Sequence, residues 1–116
     1  MTAGPYSPVL EVAVRRLVVI SGQVAVDLEG HVIGDSIEKQ TIAMLPCAGH
    51  LASAGCMLSD VFKVNIYFVD LGHWARFNAV YEEAMPEPLP VRTAVQAILL
   101  PGYLVEIEMW AVRAKG

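Results

Sequence analysis

The stretch over residues 61–69 constrains the fold most, because apolar and polar side chains alternate along it. The apolar positions are Phe62, Val64, Ile66 and Phe68, and the positions between them are Lys63, Asn65 and Tyr67. A period of two residues is that of a β-strand, whose successive side chains point to opposite faces of a sheet. The chain is therefore expected to build a sheet and to cover the apolar face of this strand.

A hairpin is expected to open the sheet ahead of this strand. Residues 9–14 alternate loosely, and residues 17–26 are rich in β-branched side chains, which favour strands. A turn signal follows at Asp27, Glu29 and Gly30. The N-terminal part of the chain thus predicts two paired strands.

Two helices are predicted on either side of the alternating strand. Ser36 is expected to cap a helix that runs to about residue 54, with Gly55 as its stop. Pro46 lies inside this helix and should kink it, because proline has no backbone N–H to donate. Residues 73–85 predict a second, shorter helix. Its inward side chains are expected to be Trp74, Phe77, Val80 and Tyr81.

The C-terminal part of the chain predicts two more strands, over residues 91–99 and 104–112, which meet at Pro101 and Gly102. This order of strands and helices predicts an α+β domain in which two helices pack on one face of a mixed, mostly antiparallel sheet. The length fits a single domain over residues 1–116.

The composition bears on assembly and on partners. Hydrophobic residues make up 55 % of the 116 residues and charged residues only 17 %, so some apolar surface is expected to be buried against another subunit. The net charge is −4, and Arg15 with Arg16 forms the only basic pair. Nucleic-acid binding usually needs a basic stripe, so such a partner is not expected.

The cysteines and histidines predict neither a disulfide nor a metal site. Cys47 and Cys56 fall on opposite faces of the predicted helix, so free thiols in a reducing compartment are expected. His31, His50 and His73 are scattered, with no zinc-ligand spacing. Neither a signal peptide nor a membrane span is predicted, and the expected location is the cytoplasm.

Arg92 is the first candidate for chemistry. It follows a proline-rich connector at residues 86–90, which should hold the start of the next strand in a fixed direction. The planar fork of a guanidinium binds a carboxylate with two parallel hydrogen bonds, which lysine cannot do. The alternative is a surface salt bridge.

Two further features are candidates. Glu106 and Glu108 share one face of a strand, and if both are buried, mutual repulsion should raise the pKa of at least one, which could then accept a proton from water. The alternative is a solvated acidic face. Gly22, between Ser21 and Gln23, marks either a simple bulge or a close approach of the backbone to something else.

A distance argument suggests that a site using both charges needs two chains. If Pro101 and Gly102 centre a tight hairpin, Arg92 lies opposite Ala111. Glu106 is then roughly 17 Å away along the strand, too far for one small ligand to contact both.

Six short motifs, in register over essentially the whole chain, resemble those of the YjgF/RidA family, also called the L-PSP or Rid family. They are Gly4-Pro5-Tyr6-Ser7, Ile20-Ser21-Gly22-Gln23, Ala54-Gly55-Cys56 with Asp60-Val61-Phe62-Lys63-Val64, Phe77-Asn78-Ala79-Val80-Tyr81, Pro90-Val91-Arg92-Thr93-Ala94-Val95, and Leu100-Pro101 with Val105-Glu106-Ile107-Glu108. Any one of these motifs is weak, but six in order are specific.

The resemblance implies a chorismate-mutase-like α+β fold of the bacillus type and a homotrimer with three clefts between subunits. It implies a deaminase without cofactor or metal that hydrolyses 2-aminoacrylate and related enamines and imines to 2-oxo acids and ammonia. In this sequence, Arg92 would hold the substrate carboxylate and Glu106 would position or activate water. The implied cleft residues are Tyr6, Ser21, Gly22 and Asn78, with the Ala94 backbone near the imine nitrogen.

Departures from the family pattern leave other functions open. Ala94 stands where some members have cysteine, Cys47 where asparagine is common, and residues 86–88 replace a usually aromatic segment. The same residues could serve a non-catalytic trimer that binds 2-oxo acids as a regulator or chaperone-like protein. Translation inhibition or RNA cleavage, described for some relatives, is disfavoured by the acidic balance and by the lack of an obvious histidine pair.

Overall fold

The sheet and its helices were located in a computed structural model, which describes residues 4–45 and 48–113. The regular elements are β1 (Arg16–Gln23), α1 (Ile37–Met44), α2 (Ala48–Ser53), β2 (Val61–Phe68), α3 (Trp74–Ala84), β3 (Val91–Gln96) and β4 (Val105–Arg113). Short 3₁₀ turns at Leu58–Asp60 and Leu71–His73 lead into β2 and α3.

The four strands form one sheet in the order β1-β4-β2-β3. β4 is antiparallel to both of its neighbours, β1 and β2. β3 lies at the edge, parallel to β2. The predicted mixed and mostly antiparallel sheet is confirmed.

All three helices lie on one face of the sheet, as the α+β prediction requires. On this helix face, β4 contributes Val105, Ile107, Met109 and Ala111, all fully buried. The helices contribute Ile37, Met44, Leu51, Phe77 and Tyr81 to the same core cluster. The opposite face, called the open face below, presents Leu17, Val19, Lys63, Asn65, Tyr67, Thr93, Val95, Glu106, Glu108 and Trp110.

The predicted first helix begins where expected but is divided in two. Ser36 is its N-cap and accepts a hydrogen bond from the Lys39 backbone N–H at 3.2 Å. α1 then ends at Met44, and its C-cap Leu45, the residue before Pro46, keeps a helical backbone at φ −60° and ψ −26°. Pro46 and Cys47 themselves lie outside the described residues. Within the described ranges, no helix is long and apolar enough to cross a membrane.

The opening hairpin is the first prediction that was wrong. Residues 9–14 form no strand, and Val9 and Val14 remain largely exposed. After β1, only an isolated bridge between Val26 and Val32 spans the predicted turn, which Gly30 closes with a φ of +84°. An alternating stretch becomes a strand only where its backbone groups find a partner, and residues 9–14 do not find one within the chain.

The prediction of a hairpin between the last two strands was also wrong. β3 pairs with β2, and β4 lies between β1 and β2. The physical reason is burial: the alternate side chains of β4 are completely buried, which suits a central strand, whereas β3 is half-buried or exposed throughout. The fold therefore does not place Arg92 opposite Ala111.

Candidate functional site

Arg92 lies near the start of β3 with its guanidinium among aromatic rings on the helix face. In the sheet register it stands beside Val64, whose side chain is completely buried on that face. The distances from the guanidinium carbon to the ring centres are 5.0 Å for Tyr81, 5.2 Å for Tyr6, 5.9 Å for Phe77 and 6.0 Å for Trp74. Aromatic faces attract a cation at such distances, so the rings fix the position of the positive charge.

The two terminal nitrogens of the Arg92 guanidinium are buried, and neither has a hydrogen-bond partner among the described residues. Burial lowers the pKa of Arg92 from its usual value, but an arginine remains protonated in proteins. A buried cation with two unused donors is costly, and an anion that reached these donors would offset that cost.

Two more polar atoms near Arg92 are also without a partner. The Oδ1 atom of Asn78 and the hydroxyl of Tyr81 are buried on α3 with no hydrogen bond among the described residues. Burial raises the pKa of Tyr81 above its ordinary value, so its hydroxyl keeps its proton. Asn78 also borders a cavity of about 490 Å³, whose other lining residues are Gly4, Pro5, Trp74, Ala75, Ala79 and Glu82.

Tyr6, Asn78, Ala94 and Arg92 are brought to the same edge of the molecule. Ser7, next to Tyr6, donates its backbone N–H to the Pro90 carbonyl at 3.1 Å, which attaches the N-terminal segment beside the start of β3. Ala94 is two residues beyond Arg92 and shares its face. The backbone N–H of Ala97 bonds to the Phe68 carbonyl, so by strand alternation the backbone groups of Ala94 point to the free edge of the sheet.

Ser21, Gly22 and Glu106 form a second group on the open face. Glu106 stands beside Tyr67 in the register and is half-buried. A β-carbon built on Gly22 would collide with the Oε2 atom of the Glu106 carboxylate. Because this atom is the flexible end of a side chain, a β-carbon at position 22 would displace the carboxylate. Both explanations left open for a glycine inside the strand have support, since Glu106 closely approaches Gly22 and the register of β1 shifts between Ile20 and Gln23.

Glu108 is paired within the sheet and does not have the raised pKa that mutual repulsion would produce. Its Oε1 atom accepts hydrogen bonds from the Tyr67 hydroxyl at 2.7 Å and from Nδ2 of Asn65 at 2.9 Å. These bonds lower the pKa of Glu108, so it is ionised at neutral pH. Of the two carboxylates, Glu106 is the one left to meet a ligand.

The two groups of residues lie on opposite faces of the sheet. Arg92 is level with Val64 and Glu106 with Tyr67, and positions 64 and 67 of β2 point to different faces. One chain therefore cannot present its own guanidinium and its own Glu106 carboxylate to the same small ligand. The hairpin on which the distance argument depended is wrong, but this register leads to the same expectation, that a site using both charges needs two chains.

Of the four aromatic rings around the guanidinium, only Tyr6 was expected in a site from the sequence; the three rings of α3 were not. Trp74, Phe77 and Tyr81 were predicted to face inward from α3, and Phe77 and Tyr81 are completely buried. Their spacing is equally typical of an ordinary core helix. Only the packing of β3 beside α3 reveals that a charged residue, Arg92, lies among them.

The sequence of the chain is similar to those of one family of known proteins. The family model described as Endoribonuclease L-PSP matches residues 1–113. A RutC family protein of Pyrococcus abyssi is 36 % identical over 114 residues, which cover 97 % of this chain and 87 % of the relative. Protein mmf2, mitochondrial, of Schizosaccharomyces pombe is 36 % identical over 110 residues, covering 90 % of this chain and 85 % of the relative.

Solved structures of the same family share the fold of this chain. A YjgF family protein of Neisseria meningitidis superposes with a TM-score of 0.77 at 29 % identity, covering 86 % of this chain and 82 % of the other. A protein of the conserved Rid family from Yersinia pestis gives a TM-score of 0.75 at 30 % identity, covering 93 % and 86 %. The fold expected from the sequence motifs is thereby confirmed.

Proposed function

The chain belongs to the YjgF/RidA family, also called the L-PSP family, and on that premise we propose that it hydrolyses reactive enamines and imines of the 2-aminoacrylate type to 2-oxo acids and ammonia. The observation that carries the proposal is the buried Arg92 guanidinium with two unused donors. The carboxylate of a 2-imino acid has two oxygens at the spacing that a guanidinium fork accepts.

The proposed reaction needs only a positioned substrate, a water and one base. Arg92 binds the substrate carboxylate and fixes the orientation of the neighbouring C=N carbon. Glu106 accepts a proton from water as the water oxygen bonds to that carbon, and the return of this proton to nitrogen yields a carbinolamine. The carbinolamine hydroxyl then passes its proton through Glu106 to nitrogen as the C–N bond breaks, so that ammonia leaves and the 2-oxo acid forms. An enamine first takes a proton at its terminal carbon to become the imine. No cofactor or metal takes part.

Access to Arg92 requires a small movement of the rings that cover it. Phe77 and Tyr81 are completely buried, whereas Tyr6 and Trp74 are half-buried and lie toward solvent. We propose that these two outer rings shift when an anion enters. The N-terminal segment packs on Trp74, since a β-carbon at Gly4 would lie 2.9 Å from that ring.

We further propose that each site forms between two chains of a homotrimer. Arg92, Tyr6 and Asn78 of one chain would meet Ser21, Gly22 and Glu106 of the next, and a closed three-fold ring then contains three equal clefts. The open face supports this assembly because it presents exposed apolar side chains. They include Leu17, Val19 and Val95, which are 47 %, 53 % and 43 % exposed.

The location remains a prediction. A cytoplasmic protein is proposed, and within the described residues Cys56 is a buried free thiol, which suits a reducing compartment. A relative from Schizosaccharomyces pombe is named as mitochondrial, so related proteins are not confined to one compartment.

Arg92→Ala is the direct test of the function. An amino-acid oxidase would generate the imine in situ, and release of 2-oxo acid and ammonia would be measured above the rate in buffer. Because the guanidinium orients the reacting carbon, its loss is expected to lower the rate at least about a hundredfold.

Arg76→Ala is the matched control. Arg76 is an arginine of α3, but it is exposed and already paired with Glu38 at 2.6 and 2.7 Å. This variant should retain the full rate. Equal rates for Arg92→Ala and wild type, or no wild-type rate above buffer, would contradict the deaminase. Tight binding of 2-oxobutyrate without turnover would favour the non-catalytic binding protein.

A further inference from the structure

We propose that the segment at residues 97–100 is the wall that selects the substrate's side chain, and that it favours imines with branched or long hydrocarbon groups over small or anionic ones. The inference rests on the proposed deaminase. It adds to that proposal a substrate class and the residues of this chain that determine it.

Glu106 shares its pocket with this segment. The pocket has a volume of about 390 Å³ and is lined by Tyr67, Ala97, Ile98, Leu99, Leu100 and Glu106. The lining thus combines a single carboxylate with four consecutive aliphatic residues. A substrate whose carboxylate lies on Arg92 and whose reacting carbon lies at Glu106 would therefore place its side chain against hydrocarbon.

The wall is apolar and uncovered in the single chain. Ile98 is completely exposed and Leu100 is 73 % exposed. Side chains of this kind are normally buried, and an exposed run beside a pocket usually marks the place where an apolar group binds. A second carboxylate on the ligand would meet both this hydrocarbon and the negative charge of Glu106, so dicarboxylic imines are disfavoured.

The segment is attached to the fold at Ala97, and the turn that follows it is attached at Leu104. The Ala97 backbone N–H donates to the Phe68 carbonyl at 2.8 Å, and the Val69 N–H donates to the Leu104 carbonyl at 3.0 Å. The Tyr103 N–H donates to the Leu100 carbonyl at 3.2 Å, which joins the segment to this turn. The wall therefore has a defined position relative to Glu106, which is two residues after Leu104.

Gln40 on α1 holds the turn that follows the segment, at Gly102 and Leu104. It is completely buried, its Nε2 donates to the Gly102 carbonyl at 2.8 Å, and its Oε1 accepts from the Leu104 N–H at 2.8 Å. A further bond, to the Gly34 carbonyl at 3.2 Å, completes the set around its amide. A buried side chain with all these bonds holds the turn in one arrangement. A wall held in this way can discriminate by shape, whereas a mobile one would adapt to any substrate.

The test compares imines made in situ from leucine, alanine and glutamate, with kcat/KM measured for each. Wild type should prefer the leucine-derived imine and act least on the glutamate-derived one. Ile98→Ala should lower kcat/KM for the leucine-derived imine about tenfold, because it removes three carbons of apolar contact, and leave the alanine-derived imine within about twofold. Since Ile98 is fully exposed, this change is not expected to affect folding of the chain.

Two further variants keep the result unambiguous. Leu100→Ala should shift selectivity in the same direction. Ile42→Ala, the same substitution at an exposed position of α1, should leave all three imines unchanged. A uniform loss on every imine in Ile98→Ala, or no change in the leucine-to-alanine ratio, would overturn this inference while the deaminase stands. Failure of wild type on every imine would instead contradict the proposed function itself.

Discussion

The two faces of the sheet treat their charged groups in opposite ways. On the helix face, Arg92 is enclosed by aromatic rings and its donors are unused. On the open face, Glu108 is satisfied by Asn65 and Tyr67, and Glu106 lies at the surface of a pocket. Among the described residues, the fold thus leaves the terminal donors of Arg92 without an acceptor on one face and places Glu106 beside a pocket on the other. Neither face alone contains the proposed chemistry, which is why the proposed cleft takes one group from each of two chains.

The largest expected effect comes from placing the two charges in different chains. Arg92→Ala and Glu106→Gln should each lower the deaminase rate about a thousandfold, because each removes the single orienting or proton-accepting group. When the two variants are co-expressed and mixed trimers are purified with two tags, one cleft of the three in each mixed trimer, about a third of all clefts, should combine an intact Arg92 with an intact Glu106.

Recovery of roughly that fraction of the wild-type rate would support a shared cleft. If mixed trimers form but remain inactive, Arg92 and Glu106 do not act on the same substrate. Activity in a monomeric fraction would contradict the shared cleft as well. Trimers made only of Arg92→Ala chains and trimers made only of Glu106→Gln chains are the controls.

The next effect separates position from stability on the open face. Gly22→Ala should displace the Glu106 carboxylate, and a misplacement of about 1 Å can lower a rate roughly a hundredfold. Stability should change little, because the displaced group is the flexible end of a side chain. Thermal unfolding and kcat/KM would be measured on the same preparation.

Gly30→Ala is the contrasting variant. A β-carbon there meets nothing within 4 Å, but φ is +84°, a conformation that costs alanine about 1–3 kcal/mol. It should lower the melting temperature and spare the rate. Identical behaviour of the two variants would show that the contact at Gly22 has no bearing on Glu106.

A smaller effect distinguishes a paired hydroxyl from an unpaired one. Tyr67→Phe removes a hydroxyl that donates to Glu108 and should lower the free energy of unfolding by about 1 kcal/mol. Tyr81→Phe removes a buried hydroxyl without a partner and should leave that free energy unchanged or raise it. Urea unfolding of the protein without ligand measures both. A clear loss of stability in Tyr81→Phe would contradict the absence of a partner.

The smallest effect is a change in pH dependence. Because hydrogen bonds lower the pKa of Glu108 in the folded state, its contribution to stability is present above the unfolded pKa of about 4.3 and is lost as pH falls through the folded value. Glu108→Gln should therefore narrow the difference in melting temperature between pH 7 and about pH 3. The exposed Glu82→Gln should not, and equal narrowing in both variants would count against this origin.

Local features of the fold could be predicted, whereas pairings between distant segments could not. The strand over residues 61–69, the cap at Ser36 and the stop at Gly55 depend on neighbouring residues, and all three were confirmed. Within that strand, the placement of Phe62 on the buried face was wrong, because the register shifts between Val61 and Lys63 and Val61 is buried instead. The strand over residues 9–14 and the hairpin after β3 were wrong because alternation identifies a face but not the strand that will lie beside it. A central strand can be told from an edge strand only when its neighbours are known.

The same limit applies to the site. Arg92 and Glu106 stand out by residue type, but their separation by the sheet follows from the register of β3 and β4 on β2. The orphan hydroxyl of Tyr81 could not be predicted either, since a tyrosine on an apolar helix stripe usually finds a partner. The roles assigned to Tyr6, Ser21, Gly22, Asn78 and Ala94 remain predictions.

The unmatched charge of Arg92 has a practical consequence for the choice of buffer. Acetate, formate and citrate carry the same functional group as the proposed substrate, so they should compete for the guanidinium and raise the apparent KM. They should also raise the melting temperature in proportion to the logarithm of their concentration, since a ligand that binds only the folded state stabilises it. Solutions buffered with an amine chloride, without added carboxylates, sulfonates or phosphates, are therefore the appropriate medium in which to measure the true affinity.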